Sequence, residues 1–167
     1  ILDDDDAPTI GFNSTTATVN EAGTASLTVD LSAASGRDIT IDYAVQASST
    51  ATGSGTDYTL SDGTKTISAG NTSVTISVPT ASDALDEDNE TVLILLSNPA
   101  NASLEDANKQ LTLTITDDDP TPSVQFNATS ANYAEETASH NIRVDLSAVS
   151  GRDVSVAYTV AAGSPAA

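Results

Sequence analysis

The chain has 167 residues, with 24 acidic against 5 basic side chains, a net charge of -19, one histidine and no cysteine, methionine or tryptophan. The missing cysteines exclude a disulfide framework, thiolate zinc, iron–sulfur ligation and a cysteine nucleophile. The charge excludes an electrostatic footprint for nucleic acid and opposes phosphate or anionic membrane surfaces, leaving a hard cation or no small partner at all.

Elements in chain order read almost entirely as strands. The opening Ile1-Leu2-Asp3-Asp4-Asp5-Asp6 carries no secretory signal and reads as the end of a preceding repeat or a linker, residues 1–6. Strands are predicted over 9–13 and 17–20, the two being one broken strand or two, and then over 24–32, 39–45, 65–68, 73–78, 90–97 and 110–117. The warrant is a period of two: Leu27, Val29 and Leu31 alternate with Thr28 and Asp30, and Leu111, Leu113 and Ile115 with Thr112 and Thr114. One run, Val92-Leu93-Ile94-Leu95-Leu96, is continuously apolar and is predicted to be a central strand with both faces covered. Turn signals fall between the runs at Ser35-Gly36, Gly53-Ser54-Gly55, Asp62-Gly63, Ala69-Gly70-Asn71 and Asn98-Pro99. No amphipathic helix and no apolar run of membrane-spanning length is present, so no direct membrane insertion is expected. About seven short alternating strands within about 110 residues predict an all-β fold, an immunoglobulin-like antiparallel sandwich.

After residue 119 the chain begins again. Pro8-Thr9-Ile10-Gly11-Phe12-Asn13 corresponds to Pro122-Ser123-Val124-Gln125-Phe126-Asn127. Val29-Asp30-Leu31-Ser32-Ala33-Ala34-Ser35-Gly36-Arg37-Asp38 corresponds to 144–153 with a single change, Val149 for Ala34. Such a match defines a tandem repeat: a complete domain over 7–119 and the N-terminal part of a second over 120–167. Three or so strands cannot close a two-sheet core. The second copy is therefore expected either to be cut short here or to be completed by strands from another chain.

Acids cluster. Residues 3–6, 83–90 and 117–119 hold 12 of the 24, whereas a generally acidified, salt-adapted surface would spread them. Asp86-x-Asp88-x-Glu90 imitates the start of an EF-hand loop, but Thr91 stands where that loop needs glycine and a strand follows. Asp86 and Asp88 are thus expected to face solvent. His140 has no counterpart in the first copy and supports no Ser–His–Asp triad, and the crowded carboxylates have no aromatic platform for a sugar, so no enzyme is expected. Asn-x-Ser/Thr sequons at Asn13, Asn71, Asn89, Asn101 and Asn127 are expected in so Thr- and Ser-rich a chain.

The ordered set Pro8-Thr9-Ile10-Gly11-Phe12, Glu21-Ala22-Gly23, Ser35-Gly36-Arg37-Asp38, Gly55-Thr56-Asp57-Tyr58, Asp83-x-x-x-Glu87-x-x-Glu90, Leu96-Ser97-Asn98-Pro99 and Thr114-Ile115-Thr116-Asp117-Asp118-Asp119 resembles the Calx-beta domain. That module occurs in the regulatory loop of sodium–calcium exchangers and in large bacterial surface proteins. The resemblance implies a seven-stranded sandwich with Ca2+ at one end, held by Glu21, Asp57, Asp83, Glu87, Glu90, Asp117, Asp118 and Asp119. The chain departs from the family at Ser82, where a second adjacent aspartate is common, which alters the expected number and affinity of ions.

The functional expectation is a calcium-binding, non-enzymatic repeat of a large extracellular or cell-surface protein. Calcium would stiffen its junctions with neighbouring repeats in adhesion or matrix assembly. Three alternatives stay open: a filament subunit completed by strands from other copies, a regulatory calcium sensor of a membrane protein, and a salt-adapted domain with no metal site.

Overall fold

The computed structural model describes residues 6–134, 136, 139–161 and 163. Of the opening segment read as the end of a preceding repeat, residues 1–5 lie outside them. The described residues form two compact units. One comprises residues up to Asp83 together with Asp88–Asp118, the other Ala84–Glu87 together with residues from Asp119 onward. Among the described residues no helix is long and apolar enough to cross a membrane.

The first unit is built from β1 (Thr9–Phe12), β2 (Thr16–Asn20), β3 (Thr24–Leu31), β4 (Ile39–Val45), β5 (Gly63–Ile67), β6 (Ser73–Pro79), β7 (Glu90–Ala100), β8 (Ser103–Leu104) and β9 (Gln110–Thr116). They form two sheets, β6-β3-β1-β8 and β2-β9-β7-β4-β5. The expected sandwich follows from the period-two pattern. Ile10, Phe12, Leu27, Val29, Ile76 and Val78 of one sheet are buried, as are Ile39, Ile41, Val92, Ile94, Leu96, Leu111 and Leu113 of the other. Their Thr and Ser neighbours along each strand point outward.

Three features refine the sequence reading. The first strand is broken, and its halves lie in different sheets: β1 pairs antiparallel with β3, and β2 pairs parallel with β9. The run 92–96 is central in its sheet, but only Val92, Ile94 and Leu96 are buried. Leu93 and Leu95 are half-exposed, contrary to the expectation of two covered faces, because a two-layer sandwich buries one face of each sheet. Asn98-Pro99, read as a turn, lies inside β7. There Asn98 takes φ 50° beside a register shift against β4, and its side-chain amide donates to Asp42 Oδ2 at 3.1 Å. Asparagine tolerates the left-handed region, so the signal marks a bulge rather than a strand end.

In the second unit β10 (Val124–Phe126) pairs antiparallel with β11 (Val144–Leu146). The register Val124↔Leu146 and Phe126↔Val144 repeats Ile10↔Leu31 and Phe12↔Val29 of the first copy. Hydrogen bonds repeat too: Ser147 N donates to Ser123 O at 2.9 Å, as Ser32 N donates to Thr9 O at 3.0 Å. The counterparts of the first core are nevertheless exposed. Phe126 is 59% exposed against 1% for Phe12, and Tyr158 81%. The expected third strand, equivalent to β4, is not formed among the described residues. Its neighbours β5 and β7 have no equivalents there to pair with it.

The same residue in two settings makes a direct comparison. Phe12→Ala removes a buried ring and is expected to cost about 3–5 kcal/mol, whereas Phe126→Ala changes stability by no more than about 0.5 kcal/mol. Urea unfolding of the two variants, followed by the tyrosine signal of the first unit, measures the difference.

Candidate metal centre

Main-chain hydrogen bonds gather four distant segments at one end of the first unit. Thr80 lies at the hub, almost fully buried, just after β6. Its hydroxyl accepts from Gly23 N at 2.9 Å and lies 2.9 Å from Asn20 O, to which it donates. This shapes the turn Glu21-Ala22-Gly23, in which Ala22 takes φ 54°. Gly23 is required by close approach, since a Cβ there would lie 2.7 Å from Val19 Cγ2 and 2.8 Å from Asn20 O. The turn is then tied outward: Glu21 N donates to Thr116 O at 3.2 Å, and Ala22 N to Ala81 O at 2.9 Å. Ala81 N in turn donates to Asp57 O at 2.8 Å.

The first of these bonds depends on topology. Parallel pairing of β2 with β9 sets Asn20 opposite Thr116, so Glu21 and Asp117 leave adjacent strands at the same end. Antiparallel pairing of β7 with β9 brings Glu90 opposite Ile115, so the start of β7 lies at that end as well. Asp117 N donates to Asn89 Oδ1 at 3.2 Å, fixing the exit from β9 against the entrance to β7.

The structure thus brings Glu21, Asp57, Asp83, Glu90, Asp117 and Asp118 of the first unit to one end, although they are scattered along the sequence. The association is closest for Glu21 and Asp83, which offer carboxylate oxygens within 4.8 Å of each other. Glu21 Oε2 is shut off from solvent. Asp57 is placed differently. Its Oδ2 accepts from Thr52 N in a short hydrogen bond within its own loop, while its carbonyl holds Ala81. Asp117 is half-buried and Asp118 exposed. Of the remaining expected ligands, Asp119 follows Asp118 in the chain and belongs to the second unit, with its Oδ2 buried. Glu87 also belongs to the second unit, where its carbonyl accepts from Arg152.

The donors at this end are carboxylate, carbonyl and amide oxygens, with no sulfur or imidazole, a set that suits a hard cation. Two carboxylates at this spacing repel by roughly 3–4 kcal/mol at an effective dielectric of 20. Nearby charge is felt at Tyr58: burial first, then the charges of Asp57 and Asp62, push its phenol above the usual tyrosine range.

Sequence reasoning missed Thr80 and Asn89, which build the end without carrying its charge. Neither has a signal in periodicity or charge. It also misplaced Asp86, expected in solvent. Asp86 is 4% exposed in the second unit, where it accepts from Arg152 and Thr121. The available signal was Arg152 itself, one of only five basic residues and part of the repeated Ser-Gly-Arg-Asp motif.

Thr80→Val keeps the shape and removes the hydroxyl that bridges Gly23 N and Asn20 O, leaving only their direct bond of 3.2 Å. It is expected to cost about 1–3 kcal/mol and to raise amide exchange at Glu21, Ala22 and Gly23, read by hydrogen-exchange NMR.

Comparison with known proteins bears on the fold and the family. The family model of the Calx-beta domain matches residues 3–119 and again residues 117–167. No curated protein matches the chain. The chain is similar to the solved apo-form Calx CBD1 domain at 22% identity and TM-score 0.61, over 68% of this chain and 100% of that one. It is also similar to CBD12 from CALX1.2 at 25% identity and TM-score 0.59, over 66% of this chain and 44% of that one. For the calcium binding domain CBD12 of CALX1.1 the identity is 24% and the TM-score 0.60, with 66% of this chain and 44% of that one covered. The matches at 22% and 24% carry the fold alone.

Proposed function

The chain belongs to the Calx-beta domain family, and on that premise we propose that it is a calcium-binding structural repeat, stiffened by Ca2+ where repeats join. The parent would be a large extracellular or cell-surface protein acting in adhesion or matrix assembly. One observation carries the reading: Glu21 and Asp83, 62 residues apart in sequence, offer carboxylate oxygens within 4.8 Å of each other at the end where Asp117 and Asp118 leave β9. Calcium binds oxygens at about 2.3–2.6 Å, so two oxygens on one ion are at most about 5 Å apart. The spacing therefore fits, and so does a donor set made only of oxygen.

Glu21, Asp83, Asp117 and Asp118 are the proposed ligands, with Asp57 and Glu90 completing the shell. For Asp57 the free contribution is Oδ1, because Oδ2 already caps its own loop. The bound ion would supply positive charge that cancels the crowding of carboxylates. Thr80, Gly23 and the β2–β9 pair hold the turn that presents Glu21. Asn89 holds the exit that presents Asp117. The role is structural, not catalytic. Membership of the Calx-beta domain family supports the choice of ion. The repeat, the lack of cysteine and the scarcity of lysine and arginine support a bulk surface protein over a regulatory sensor.

Calorimetric titration of the full chain tests the reading. Calcium at 100 times its Kd is expected to stabilise the fold by about 2.7 kcal/mol. Asp83→Asn is expected to weaken binding at least about tenfold, since it removes one full ligand charge. Equal stabilisation by sodium or magnesium at matched ionic strength overturns the reading.

A second reading, a filament subunit completed by another chain, is favoured by the apolar residues exposed in the second unit, among them Ile142, Val156, Tyr158 and Val160. Strands donated by a neighbouring copy would cover them. It expects concentration-dependent assembly in analytical ultracentrifugation that Val156→Asp with Tyr158→Ser abolishes. A monomer at all concentrations refutes it.

A further inference from the structure

The motif Ser-Gly-Arg-Asp occurs at 35–38 and at 150–153, the same place in the two copies. Both turn alike: Arg37 N donates to Ser35 Oγ at 3.0 Å, and Arg152 N to Ser150 Oγ at 3.1 Å. In the second unit this turn grips the segment Ala84–Glu87. Gly151 N donates to Asp86 O at 3.1 Å, and the Ser150 hydroxyl reaches Asp86 O and Oδ2 at 3.3 Å each. Arg152 Nη2 donates to Asp86 Oδ1 at 2.9 Å and to Glu87 O at 2.5 Å. Gly151 lies close against the Glu87 side chain: a Cβ there would lie 2.5 Å from Glu87 Oε1 and would displace that side chain. The grip recognises an aspartate by its side chain and main chain together, a backbone–backbone bridge reinforced by a charge-assisted fork.

In the first unit the same turn is anchored from its other side. Ser35 O accepts from Gly70 N at 2.8 Å, Asp38 Oδ1 from Ala69 N at 2.9 Å, and Asp38 O from Asn101 Nδ2 at 2.9 Å. Those bonds hold the turn in place, yet its gripping side faces open space. No atom lies within 4 Å of a Cβ placed on Gly36, and Arg37 is exposed. A preorganised donor array at which Ser, Gly and Arg repeat a demonstrated aspartate grip is an interaction surface. Arg37 is also a rare positive charge on a chain of net charge -19, so an acidic segment is the occupant its chemistry selects.

The geometry points to Ser35-Gly36-Arg37 as a docking clasp for the acidic loop of another repeat of this kind, one that carries aspartate at the position of Asp86. Successive repeats would then be joined by clasp and loop, independently of any bound ion. The chain's own Ala84–Glu87 segment is held by Ser150–Arg152, so the occupant of the first clasp comes from elsewhere.

The test is an NMR titration of the full chain, in calcium-free buffer, with a peptide of residues 81–91 (ASDALDEDNET). Saturable shifts at the Ser35, Gly36 and Arg37 amides are expected, with half-saturation on the order of 1 mM, the range in which an isolated contact normally helped by tethering operates. Arg37→Ala in the protein, or Asp86→Ala in the peptide, is expected to weaken binding at least about tenfold through loss of the charge-assisted bonds. Arg37 is exposed, so unchanged signals elsewhere verify that the variant is folded. No saturable response at these amides, or an equal response to a scrambled peptide, overturns the proposal. Because no calcium is present, the result stands apart from that of the metal titration.

Discussion

The candidate metal centre depends on main-chain hydrogen bonds that hold like charges together. Carboxylates left to themselves separate, and a loop that is merely acidic would splay. Here Glu21 N to Thr116 O, Ala22 N to Ala81 O and Ala81 N to Asp57 O tie three loops to a strand end. All are neutral amide bonds, indifferent to the charge they position. The buried hydroxyl of Thr80 closes the tightest of these turns from within. The frame that crowds the acids is therefore laid down by bonds separate from their charge, although Asp57 Oδ2 also caps its own loop. That separation lets a site be both highly charged and preorganised.

The sheet topology makes this arrangement possible. If the first strand ran unbroken beside β3, Glu21 would have no strand partner at the end of β9. Crossing between sheets after Phe12 puts β2 parallel to β9, and Asn20 opposite Thr116. Thr112 N donating to Thr15 O at 2.9 Å secures the start of that pair. Parallel pairing matters because both strands then end on the same side, each followed immediately by an acid, Glu21 and Asp117. An antiparallel partner would have sent one of them to the far end of the sandwich. The broken strand thus links an element of fold to the placement of charge.

Much of this was legible in the residues, and the exceptions share a cause. Alternation gave the strands because burial on one face is a local property of each segment. The near-identity of 29–38 and 144–153 gave the repeat directly. The acids were identified through a family pattern, since no spacing within the chain says that Glu21 and Asp83 meet. What failed were inferences about partners. Leu93 and Leu95 look like core until the number of layers is known. Asn98-Pro99 looks like a turn until a strand is seen to bulge there. Asp86 reads as solvated by every local rule, and is buried because Arg152, 66 residues away, receives it.

The two copies separate local from non-local determinants within one molecule. Their paired segments adopt the same register and repeat the bond from Ser32 or Ser147 to the opposite strand. Pairing of these short segments is thus written into about twenty residues. Burial is not. Val29 is 0% exposed and its counterpart Val144 41%, because β6 and the opposing sheet cover the first and nothing equivalent among the described residues covers the second. Identical sequence therefore fixes which residues would face a core, while the core itself comes from strands far along the chain. The same logic governs the clasp. Its conformation is local and recurs in both copies, whereas its occupancy depends on what the surrounding chain brings to it. The repeated local frame makes those second, non-local contacts comparable residue by residue.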